Sequence, residues 1–410
     1  MGAGRSTLTF MLAPLDGIRV LEVANYVAAP SVGALMSDLG ADVIKVEPPG
    51  GEVMRGVMTP GDDGPFRANF LFELENRGKR SVTVDLERPG ASELIHRLAG
   101  SVDVLLTNLL PRRMEKYRLM PDQLRATNPK LVLCSVTGYG LRGPEADRPG
   151  FDFAAFWTRA GIMSVVGHPD GPPVLSRIAQ GDHTTGMNAL AAILAALRLR
   201  DRTGEGQVVE VTLQQTGVYT IATDLSRALI DGKQPSRFDR EEPHNPLFNT
   251  YPTADGHWVM LVHMTPDPYW PRLCAAMGRE DLAADERYDS MKKRVVHGAH
   301  LATVIQAEFE KRDLGHWSEK LDEHGLIWAP MVDLPTVAND PTLHALDAFP
   351  EVPHPNGAFR TVGVPFSIHG ADIGVRRASP EPGEHTMDVL SEAGLSGDDI
   401  AELAAGGILG

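Results

Sequence analysis

The sequence predicts an α/β protein in which a parallel β-sheet occupies the first half and a smaller α+β domain follows. Two observations carry this prediction. Apolar segments of strand length alternate with helical segments between Ile18 and Val136. Strands that are separated by helices favour right-handed βαβ crossovers, which place helices on both faces of a parallel sheet. From about residue 225 the alternation ends, and polar, proline-bearing sequence leads into a mainly helical region.

The elements of the first half follow from their apolar periodicity and from the residues that flank them. Pro30 opens the first helix, because the fixed φ of proline suits the first turn of a helix. A turn at residues 202–207 leads into the last strand of this half. Strands are expected at 18–23, 43–47, 81–86, 102–107, 131–136 and 208–213, and helices at 30–39, 91–98 and 121–126.

The smaller domain is predicted from a hairpin signal and a helical pattern. The pair Asp255–Gly256 predicts a tight turn between two strands. Residues 265–325 are expected to be mainly helical, with one apolar face formed by Trp270, Leu273 and Met277.

A length of 410 residues is too great for one ordinary hydrophobic core, so two domains are expected. The first residues, 1–14, are expected to be a disordered extension, because strand-like sequence begins almost at once after them. The large domain is expected at 15–215, the small domain at 225–330, and a return to the large domain at 335–410.

Composition excludes several classes of protein. The longest apolar run, 190–199, is far shorter than the ~20 residues that cross a bilayer, so no membrane partner is expected. A net charge of −15 argues against binding of nucleic acid. Cys134 and Cys274 lie in apolar contexts and form no disulfide or metal pattern, which favours a cytoplasmic location.

Two basic clusters stand out against this acidic background. Residues 76–80 contain three Lys/Arg side chains, and residues 112–118 contain four with one glutamate. A single charge cluster is typical of a solvated surface, but two clusters in one half of an acidic protein indicate a small polyanionic ligand. Both adjoin the ends of predicted strands, where ligands bind in parallel α/β sheets. Phosphates suit this edge, because helix N-termini and Lys/Arg favour anions.

Two common nucleotide motifs are missing from the sequence. No G-x-G-x-x-G run follows the first strand, and no Walker loop is present. The sequence therefore gives little support to NAD or ATP chemistry.

Asp182 is the candidate catalytic residue. It lies in the segment Ala179–Gly186, immediately before an apolar stretch that is expected to be helical. A carboxylate at a helix start can act as a nucleophile, and Gly181 and Gly186 would let a ligand approach the backbone. The residues alone equally allow a helix cap, since aspartate accepts the free N–H groups of a first turn.

Several segments, in this order along the chain, resemble those of the family III CoA-transferases. That family includes formyl-CoA transferase, carnitine-CoA transferases and the α-methylacyl-CoA racemases. The resemblance covers residues 14–410. The segments are Leu15–Glu22, Leu39–Pro48, Asn76–Val82, Thr203–Gln207 and Pro382–Thr386.

The resemblance implies a Rossmann-like large domain that binds CoA, a small domain, and an interlocked homodimer in which the small domain of one chain completes the site of the other. It implies that Asp182 is the nucleophile, kept ionised by a helix N-terminus. The CoA contacts that it implies are Val27, Ala28, Asn76, Arg77, Lys79, Asn108, Lys116, Thr137, Gly138 and Tyr139.

Departures from the family pattern indicate which branch of the family this chain resembles. The racemases carry a histidine where this chain has Phe151 and a glutamate where it has Pro252, and neither side chain here can transfer the proton that racemisation requires. The formyl-CoA branch has a glutamine at the position of Val27 and a glycine-rich lid, whereas residues 241–248 contain no glycine run. The transferase branch is favoured, and oxalate is disfavoured as an acceptor.

The predicted function is the transfer of CoA from an acyl-CoA donor to a carboxylic acid, through an aspartyl mixed anhydride and an aspartyl-CoA thioester on Asp182. No prosthetic group is expected. No metal is expected either, because His297 and His300 lie in a basic segment that faces solvent. Two alternatives stay open: a racemase or epimerase with relocated bases, and a non-catalytic acyl-CoA-binding protein. The donor, the acceptor and the role of His183 are also open.

Overall fold

The computed structural model describes residues 12–57 and 69–410. The extension expected at 1–14 lies outside the described residues except for its last three. The chain forms two compact units. Unit 1 contains Met1–Ile162, Leu175–Gly232 and Pro341–Gly410, and unit 2 contains Met163–Val174 and Lys233–Asp340.

Unit 1 is built on a six-stranded sheet. Its strands are β1 (Arg19–Val23), β2 (Asp42–Glu47), β3 (Arg80–Thr83), β4 (Val104–Thr107), β5 (Val132–Thr137) and β6 (Val208–Thr212). Their order is β3–β2–β1–β4–β5–β6, and every neighbouring pair is parallel. The predicted parallel α/β sheet is confirmed. The order reverses between β1 and β4, which is where ligands bind in open sheets of this kind.

Helices connect the strands of unit 1 and follow the last of them. They are α1 (Ala28–Asp38), α2 (Met54–Val57), α3 (Phe70–Asn76), α4 (Ala91–Ala99), α5 (Pro111–Lys116), α6 (Pro121–Thr127), α8 (Gln180–Thr203), α9 (Leu213–Thr220) and α10 (Ala222–Asp231), whereas α7 (Ile162–Val165) begins at the last residue of a unit 1 segment and continues into unit 2. A π-helix spans Asp152–Arg159.

Both faces of the central strands are buried, which explains the aliphatic residues on both sides of β1, β4 and β5. Val20 and Leu21 on β1 have no exposed surface, and they belong to separate apolar clusters on opposite faces. Helices α1 and α8 cover the face of Val20, and α4 and α6 cover the face of Leu21.

Local sequence explains where several helices begin or end. The Asn69 side chain caps α3 by accepting the Phe72 N–H at 3.0 Å. The Thr212 side chain caps α9 by accepting the Gln215 N–H at 2.9 Å. Gly204 ends α8 with a φ of +76°, which glycine adopts without a steric cost.

The π-helix is an element that the sequence does not predict. A π-helix has a wider turn than an α-helix, with backbone bonds between residues five apart. The Thr158 hydroxyl also donates to the Phe153 carbonyl of this element, at 2.7 Å. Apolar periodicity distinguishes helices from strands, but it carries no signal for this wider spacing. The difference matters because the π-helix begins at Asp152, which is part of the site.

Unit 2 contains a small antiparallel sheet and a group of short helices. Its strands, in spatial order, are β7 (Phe248–Pro252), β8 (Trp258–Val262) and β9 (Trp328–Pro330). Its helices are α11 (Trp270–Ala276), α12 (Glu280–Ala283), α13 (Met291–Val296), α14 (Gly298–Phe309), α15 (Leu314–Glu323) and α16 (Leu334–Ala338).

The hairpin that the sequence predicts in unit 2 is confirmed. Strands β7 and β8 pair antiparallel across it, and Gly256 has a φ of +81°. The predicted apolar face is confirmed as well, since Trp270, Leu273 and Met277 are buried in the core of this unit.

The chain ends in unit 1. Its last elements are α17 (Pro341–Ala345), β10 (Glu351–Val352), β11 (Phe359–Arg360), α18 (Thr386–Glu392) and α19 (Gly397–Ala405). The His385 N–H donates to the Ser81 carbonyl at 2.9 Å, which places the start of α18 beside β3. Within the part of the chain that is described, no helix has the length and apolar character needed to cross a bilayer.

A buried ion network links the first three strands. Glu22 on β1, Lys45 on β2 and Lys79 beside β3 have no exposed surface. The Lys45 ammonium lies 2.9 Å from Glu22 Oε1, and the Lys79 ammonium lies 2.7 Å from Glu22 Oε2. Burial lowers the pKa of Lys45, but the charges of Glu22, Glu52 and Glu47 outweigh burial, and its pKa is raised.

The network also holds the connection between β1 and α1. Lys79 donates to the Pro30 carbonyl at 2.9 Å, and Glu52 accepts the Tyr26 N–H at 3.2 Å. Tyr26 has a φ of +67°, which is unfavourable for a residue with a Cβ. These bonds therefore fix a connection that would not keep its shape through backbone preference alone.

We expect Glu22→Gln to lower the free energy of unfolding by about 3 kcal/mol, because it leaves two buried ammonium groups with reduced compensation. Urea denaturation at pH 7 measures the change. The matched control is Glu93→Gln, which removes an ion pair with Arg118 whose side chains are 63% and 61% exposed. This control should change stability by no more than about 0.5 kcal/mol. Equal effects of the two substitutions would contradict the prediction.

Candidate active site

Asp182 lies in the first turn of α8, as the third helical residue. The helix begins at Gln180, and Ala179 occupies the N-cap position with a φ of +66° and no side-chain hydrogen bond. The interpretation of Asp182 as the cap of this helix is therefore wrong. Its carboxylate still belongs to the turn whose N–H groups have no partner within the helix, and such a turn favours negative charge.

Packing holds the unusual backbone at Ala179. A left-handed conformation costs a residue with a Cβ roughly 1–2 kcal/mol. Ala179 is 6% exposed and belongs to a small apolar cluster with Val27, Leu71 and Phe72. Backbone strain of this kind tends to be kept at functional sites, where the surrounding structure fixes it.

Gly181 and Gly186 flank Asp182, and protein atoms occupy the space that their missing side chains leave. A Cβ on Gly181 would lie 2.3 Å from Asp152 Oδ1, and a Cβ on Gly186 would lie 2.2 Å from Ser31 Oγ. The expectation that these glycines admit a ligand to the backbone is therefore wrong. They let the π-helix and α1 approach the start of α8.

Asp152, the first residue of the π-helix, supplies a second carboxylate. It is 5% exposed, and neither oxygen has a hydrogen bond of normal geometry to the described residues. Burial raises the pKa of Asp152, and the N–H groups of Gly181 and Ala179 counteract this only in part. Burial without a closely bonded donor favours the protonated form of a carboxyl group.

His183 follows Asp182 and pairs with Glu75 on α3. The distance between His183 Nε2 and Glu75 Oε1 is 2.7 Å, and the two side chains are 43% and 2% exposed, respectively. Both residues line a cavity of about 250 Å³, together with Arg77 and Met187. The candidate site thus contains the carboxyl groups of Asp152, Asp182 and Glu75 and the imidazole of His183.

The balance of these charges sets the state of Asp182. Burial has the largest effect, the charges of Asp152 and Glu75 add to it, and His183 opposes it; together they raise the pKa of Asp182 to about 7. Burial and two neighbouring carboxylates outweigh the expected help from the helix N-terminus. Both protonation states of Asp182 are therefore populated at neutral pH.

The Asp182 carboxylate has no hydrogen-bond partner among the described residues. Its side chain is partly exposed. A carboxylate without a bound donor keeps its lone pairs for attack on a carbonyl carbon.

Val27 and Ala28 lie next to the start of α8. Val27 packs in the same cluster as Ala179, and the Ala28 carbonyl lies 3.2 Å from the position of a Cβ on Gly186. Contact of these two residues with CoA stays a prediction, and their position beside the turn of Asp182 is compatible with it.

The basic cluster at 76–80 lies inside unit 1. Asn76 and Lys79 have no exposed surface, and Arg77 is 3% exposed. The Arg77 guanidinium lies 2.7 Å from an oxygen of Asp38, and Lys79 pairs with Glu22. These charges are neutralised by internal partners, whereas the sequence suggests charge available to a polyanion. Contacts of Asn76, Arg77 and Lys79 with CoA stay predictions.

The loop after β5 packs against the segment that precedes the π-helix. A Cβ on Gly138 would lie 2.8 Å from the Gly150 Cα, so the two backbones touch. The Arg159 guanidinium lies 5.5 Å from the ring centre of Tyr139. The structure thus brings Thr137, Gly138 and Tyr139 beside the π-helix of Asp152, and their contact with CoA stays a prediction.

Asn108 and Lys116 lie at the carboxyl ends of the strands. The Asn108 side chain accepts the Asn25 N–H at 3.2 Å and donates to the Asn25 carbonyl at 2.7 Å, so it joins the ends of β1 and β4 at the switch point. The Lys116 ammonium pairs with Glu87 and is 56% exposed. The structure does not place Lys116 among the residues around Asp182. Both CoA contacts stay predictions.

At the two positions that distinguish the racemases from the transferases, this chain has no side chain that can transfer a proton. Phe151 is 57% exposed and packs edge-on against Tyr26, with 5.1 Å between ring centres. Pro252 is the last residue of β7, in unit 2. Within the described ranges, no group of three or more His, Cys, Asp or Glu side chains is arranged to hold a metal ion.

Sequence reasoning missed two residues of the site, Glu75 and Asp152. Glu75 lies in a helix that contains another glutamate, which is typical of a solvated face. Asp152 precedes the apolar residues 153–157 and resembles an ordinary helix start. Only the tertiary packing shows that both are buried, and only burial makes them relevant to the charge of Asp182.

Comparisons with known proteins match this chain to CoA-transferases over almost its whole length. The model of the family described as CoA-transferase family III matches residues 15–386. The (R)-2-hydroxy-4-methylpentanoate CoA-transferase of Clostridioides difficile is 30% identical over 391 residues, which are 94% of this chain and 97% of that protein. The succinate–glutarate CoA-transferase of Agrobacterium fabrum is 35% identical over 387 residues, 92% of this chain and 95% of that protein.

A solved structure gives the same result for the fold. The crystal structure of a CaiB/BaiF family protein from Brucella suis aligns with a TM-score of 0.82 and 32% identity, and it covers 93% of this chain and 100% of that one. The resemblance inferred from the sequence segments is thereby confirmed. The chain belongs to CoA-transferase family III, and the activity that this membership carries is the transfer of CoA.

Proposed function

We propose that this enzyme transfers CoA from an acyl-CoA donor to a carboxylic acid, with Asp182 as the covalent nucleophile. The observation that carries the proposal is the state of Asp182: a partly exposed carboxylate without a hydrogen-bond partner among the described residues, in the first turn of α8. Family membership supplies the class of reaction, and this carboxylate supplies a group that can perform it.

In the first half of the proposed reaction, Asp182 takes CoA from the donor. An Asp182 oxygen attacks the thioester carbonyl carbon, the carbon–sulfur bond breaks, and CoA thiolate leaves behind a mixed anhydride. The thiolate then attacks the Asp182 carbonyl carbon, and the donor leaves as a free carboxylate. The enzyme now carries CoA as an aspartyl thioester, and no water has entered the balance.

In the second half, the acceptor repeats these steps in reverse. The acceptor carboxylate attacks the carbonyl carbon of the aspartyl thioester. This attack forms a second mixed anhydride, between the acceptor and Asp182, and releases CoA thiolate. The thiolate attacks the acceptor's carbonyl carbon, and the Asp182 carboxylate leaves. The new acyl-CoA is formed without net consumption of protons or electrons. The N-terminal end of α8 would favour the negative charge at each stage.

The proposed CoA contacts divide into two groups by position. Val27 and Ala28 lie near the turn of Asp182, the loop 137–139 lies beside the π-helix of Asp152, and we assign both to the thioester end of CoA. Asn108 and Lys116 lie at the strand ends and suit its phosphates. Asn76, Arg77 and Lys79 are committed to internal partners, so we assign them the support of the site's walls.

The relatives suggest which substrates to test first. The relative from A. fabrum is named for succinate and glutarate, and the one from C. difficile for a branched hydroxy acid. We therefore propose succinyl-CoA with glutarate as the first donor and acceptor, followed by a panel of carboxylic acids read by mass spectrometry.

We expect Asp182→Asn to reduce CoA exchange by about 10³-fold or more, because an amide cannot form the anhydride. The dissociation constant of CoA should change by no more than about threefold. Exchange between succinyl-CoA and labelled glutarate measures the first quantity, and calorimetry measures the second.

The matched control for that variant is Asp201→Asn, the same change near the other end of α8, where the side chain is 58% exposed. It should keep full activity. In the native enzyme, hydroxylamine should trap an adduct at Asp182 after incubation with acyl-CoA. Undiminished exchange by Asp182→Asn would refute the proposed mechanism.

The pH profile provides a separate prediction. Because the carboxylate form attacks and the pKa of Asp182 is raised to about 7, kcat/KM should rise with pH and reach half its plateau near pH 7. At pH 6 the value should be about one tenth of the plateau. An aspartate with an ordinary pKa would give a flat profile from pH 5.5 upward, and that result would contradict the assigned environment.

We propose that the enzyme acts as a homodimer. Helix α10 of unit 1 has no buried residue. Tyr219, Leu229 and Ile230 are 77%, 78% and 87% exposed, so this region presents an apolar surface that a second copy could cover. The resemblance to the family supports the same arrangement.

We expect the native protein to have twice the chain mass of 44.4 kDa by light scattering. The double substitution Leu229→Asp, Ile230→Asp should weaken dimerisation by at least about 10³-fold, since each buried aliphatic side chain contributes about 2 kcal/mol and both copies carry the change. Arg227→Ala on the same helix, where the side chain is 80% exposed, is the control and should leave the mass unchanged. A native monomer would contradict the dimer, and an unaffected double variant would remove α10 from its interface.

A further inference from the structure

His183 and Glu75 form a pair at the site that the proposed transfer does not use. His183 belongs to the same helical turn as Asp182, and its Nε2 lies 2.7 Å from Glu75 Oε1. The two residues come from α8 and α3, so the contact is made by tertiary packing. The Glu75 side chain is 2% exposed, which makes this contact costly unless its charge is compensated.

The charged groups that face His183 come from three elements. Glu75 and Arg77 come from α3 and its end, Asp182 from α8, and Asp152 from the π-helix. The Arg77 guanidinium is committed to a carboxylate of α1. The remaining side chains that line the cavity beside His183 are uncharged. The positive charge of protonated His183 therefore interacts with three carboxyl groups, those of Glu75, Asp182 and Asp152.

This environment favours the imidazolium form. Burial lowers the pKa of His183, but the hydrogen bond and charge of Glu75, followed by the charges of Asp182 and Asp152, outweigh burial and raise it. The 2.7 Å contact places a proton on His183 Nε2, which the imidazolium and one neutral tautomer both carry, and the negative charge of the neighbouring carboxylates favours the imidazolium. A buried carboxylate therefore holds a positive charge beside the reactive one.

We propose that His183, held as an imidazolium by Glu75, is a positioning residue that keeps Asp182 in the carboxylate form needed for attack. This proposal rests on the function proposed above. His183 acts through its charge alone: it forms no bond to CoA or to either acid. No proton has to move in the transfer, because a carboxylate enters and a carboxylate leaves in each half, so neither an acid nor a base is required.

Replacing the charge of His183 separates this role from a structural one. In His183→Gln the amide can still donate to Glu75, but the positive charge is lost. We expect the midpoint of its kcat/KM profile to move up by about one pH unit, the size of shift that one neighbouring charge produces. With succinyl-CoA and glutarate, the rate should fall about tenfold at pH 6 and match the native rate above pH 9. A packing defect would lower the rate at every pH.

The matched variant is His183→Lys, which restores a permanent positive charge. Its midpoint should lie within about 0.3 pH units of the native value. Thermal midpoints and the dissociation constant of CoA should be alike in all three proteins, which shows that the fold and the CoA site are intact. If His183→Gln does not fold, the comparison of His183→Lys with native enzyme and the measurement on Glu75 still decide the proposal.

The part of Glu75 is tested directly on the imidazole. Nuclear magnetic resonance of 15N-histidine-labelled protein follows the titration of His183, which is assigned by its absence in His183→Lys. In Glu75→Gln the titration midpoint of His183 should fall by about one pH unit. An unchanged midpoint would overturn the assignment of Glu75 as the group that holds the charge.

The outcomes distinguish this proposal from the one on which it rests. If Asp182→Asn keeps its exchange activity, the proposed function fails. If Asp182→Asn is inactive while the profile of His183→Gln superimposes on the native profile, only the role of His183 is overturned. That role is overturned as well if His183→Lys shifts as far as His183→Gln, because charge would then not be the cause.

Discussion

The arrangement of unit 1 depends on one negative charge, that of Glu22 at the centre of the sheet. The Lys45 ammonium reaches it from the neighbouring strand β2 and the Lys79 ammonium from the residue before β3, and all three side chains are fully buried. Because a buried ammonium group requires a carboxylate, this contact fixes the register of the side chains between β1, β2 and β3. Lys79 also holds the Pro30 carbonyl in the first turn of α1, and α1 packs against α8, which carries Asp182. The location of the proposed nucleophile thus depends on a contact in the core.

How far the sequence predicts this structure depends on whether a signal is local. The central strands are predicted well because β1, β4 and β5 are rich in buried aliphatic residues and alternate with helical segments. The left-handed backbone of Ala179, the residue before α8, is not predicted, since it depends on the packing around this residue. Lys79 resembles a surface charge because sequence does not distinguish a lysine in solvent from one beside a buried carboxylate. For the same reason Glu75 and Asp152 escape notice, while Asp182 is found through its family segment.

Membership of the family accounts for the class of reaction, and the charges around Asp182 account for how this chain could carry it out. A pKa near the working pH is a compromise: the group is ionised often enough to react, and it is more basic than an ordinary aspartate. Burial and Asp152 favour the protonated form, and the imidazole of His183 favours the carboxylate. The balance is set by residues on α3, α8 and the π-helix, which explains why no single segment of sequence reveals it.

The crowding of three carboxyl groups around one turn bears on how stable the covalent state is. In the free enzyme, ionisation of Asp182 adds a charge that Asp152 and Glu75 oppose. In the proposed mechanism, the anhydride at an Asp182 oxygen and the thioester at the Asp182 carbonyl carbon are both neutral, so bond formation would relieve this repulsion and leave His183 to pair with Glu75 alone. By this account the free enzyme is the electrostatically strained form and the CoA-loaded enzyme the relaxed one, which favours an enzyme that waits for its acceptor with CoA already attached.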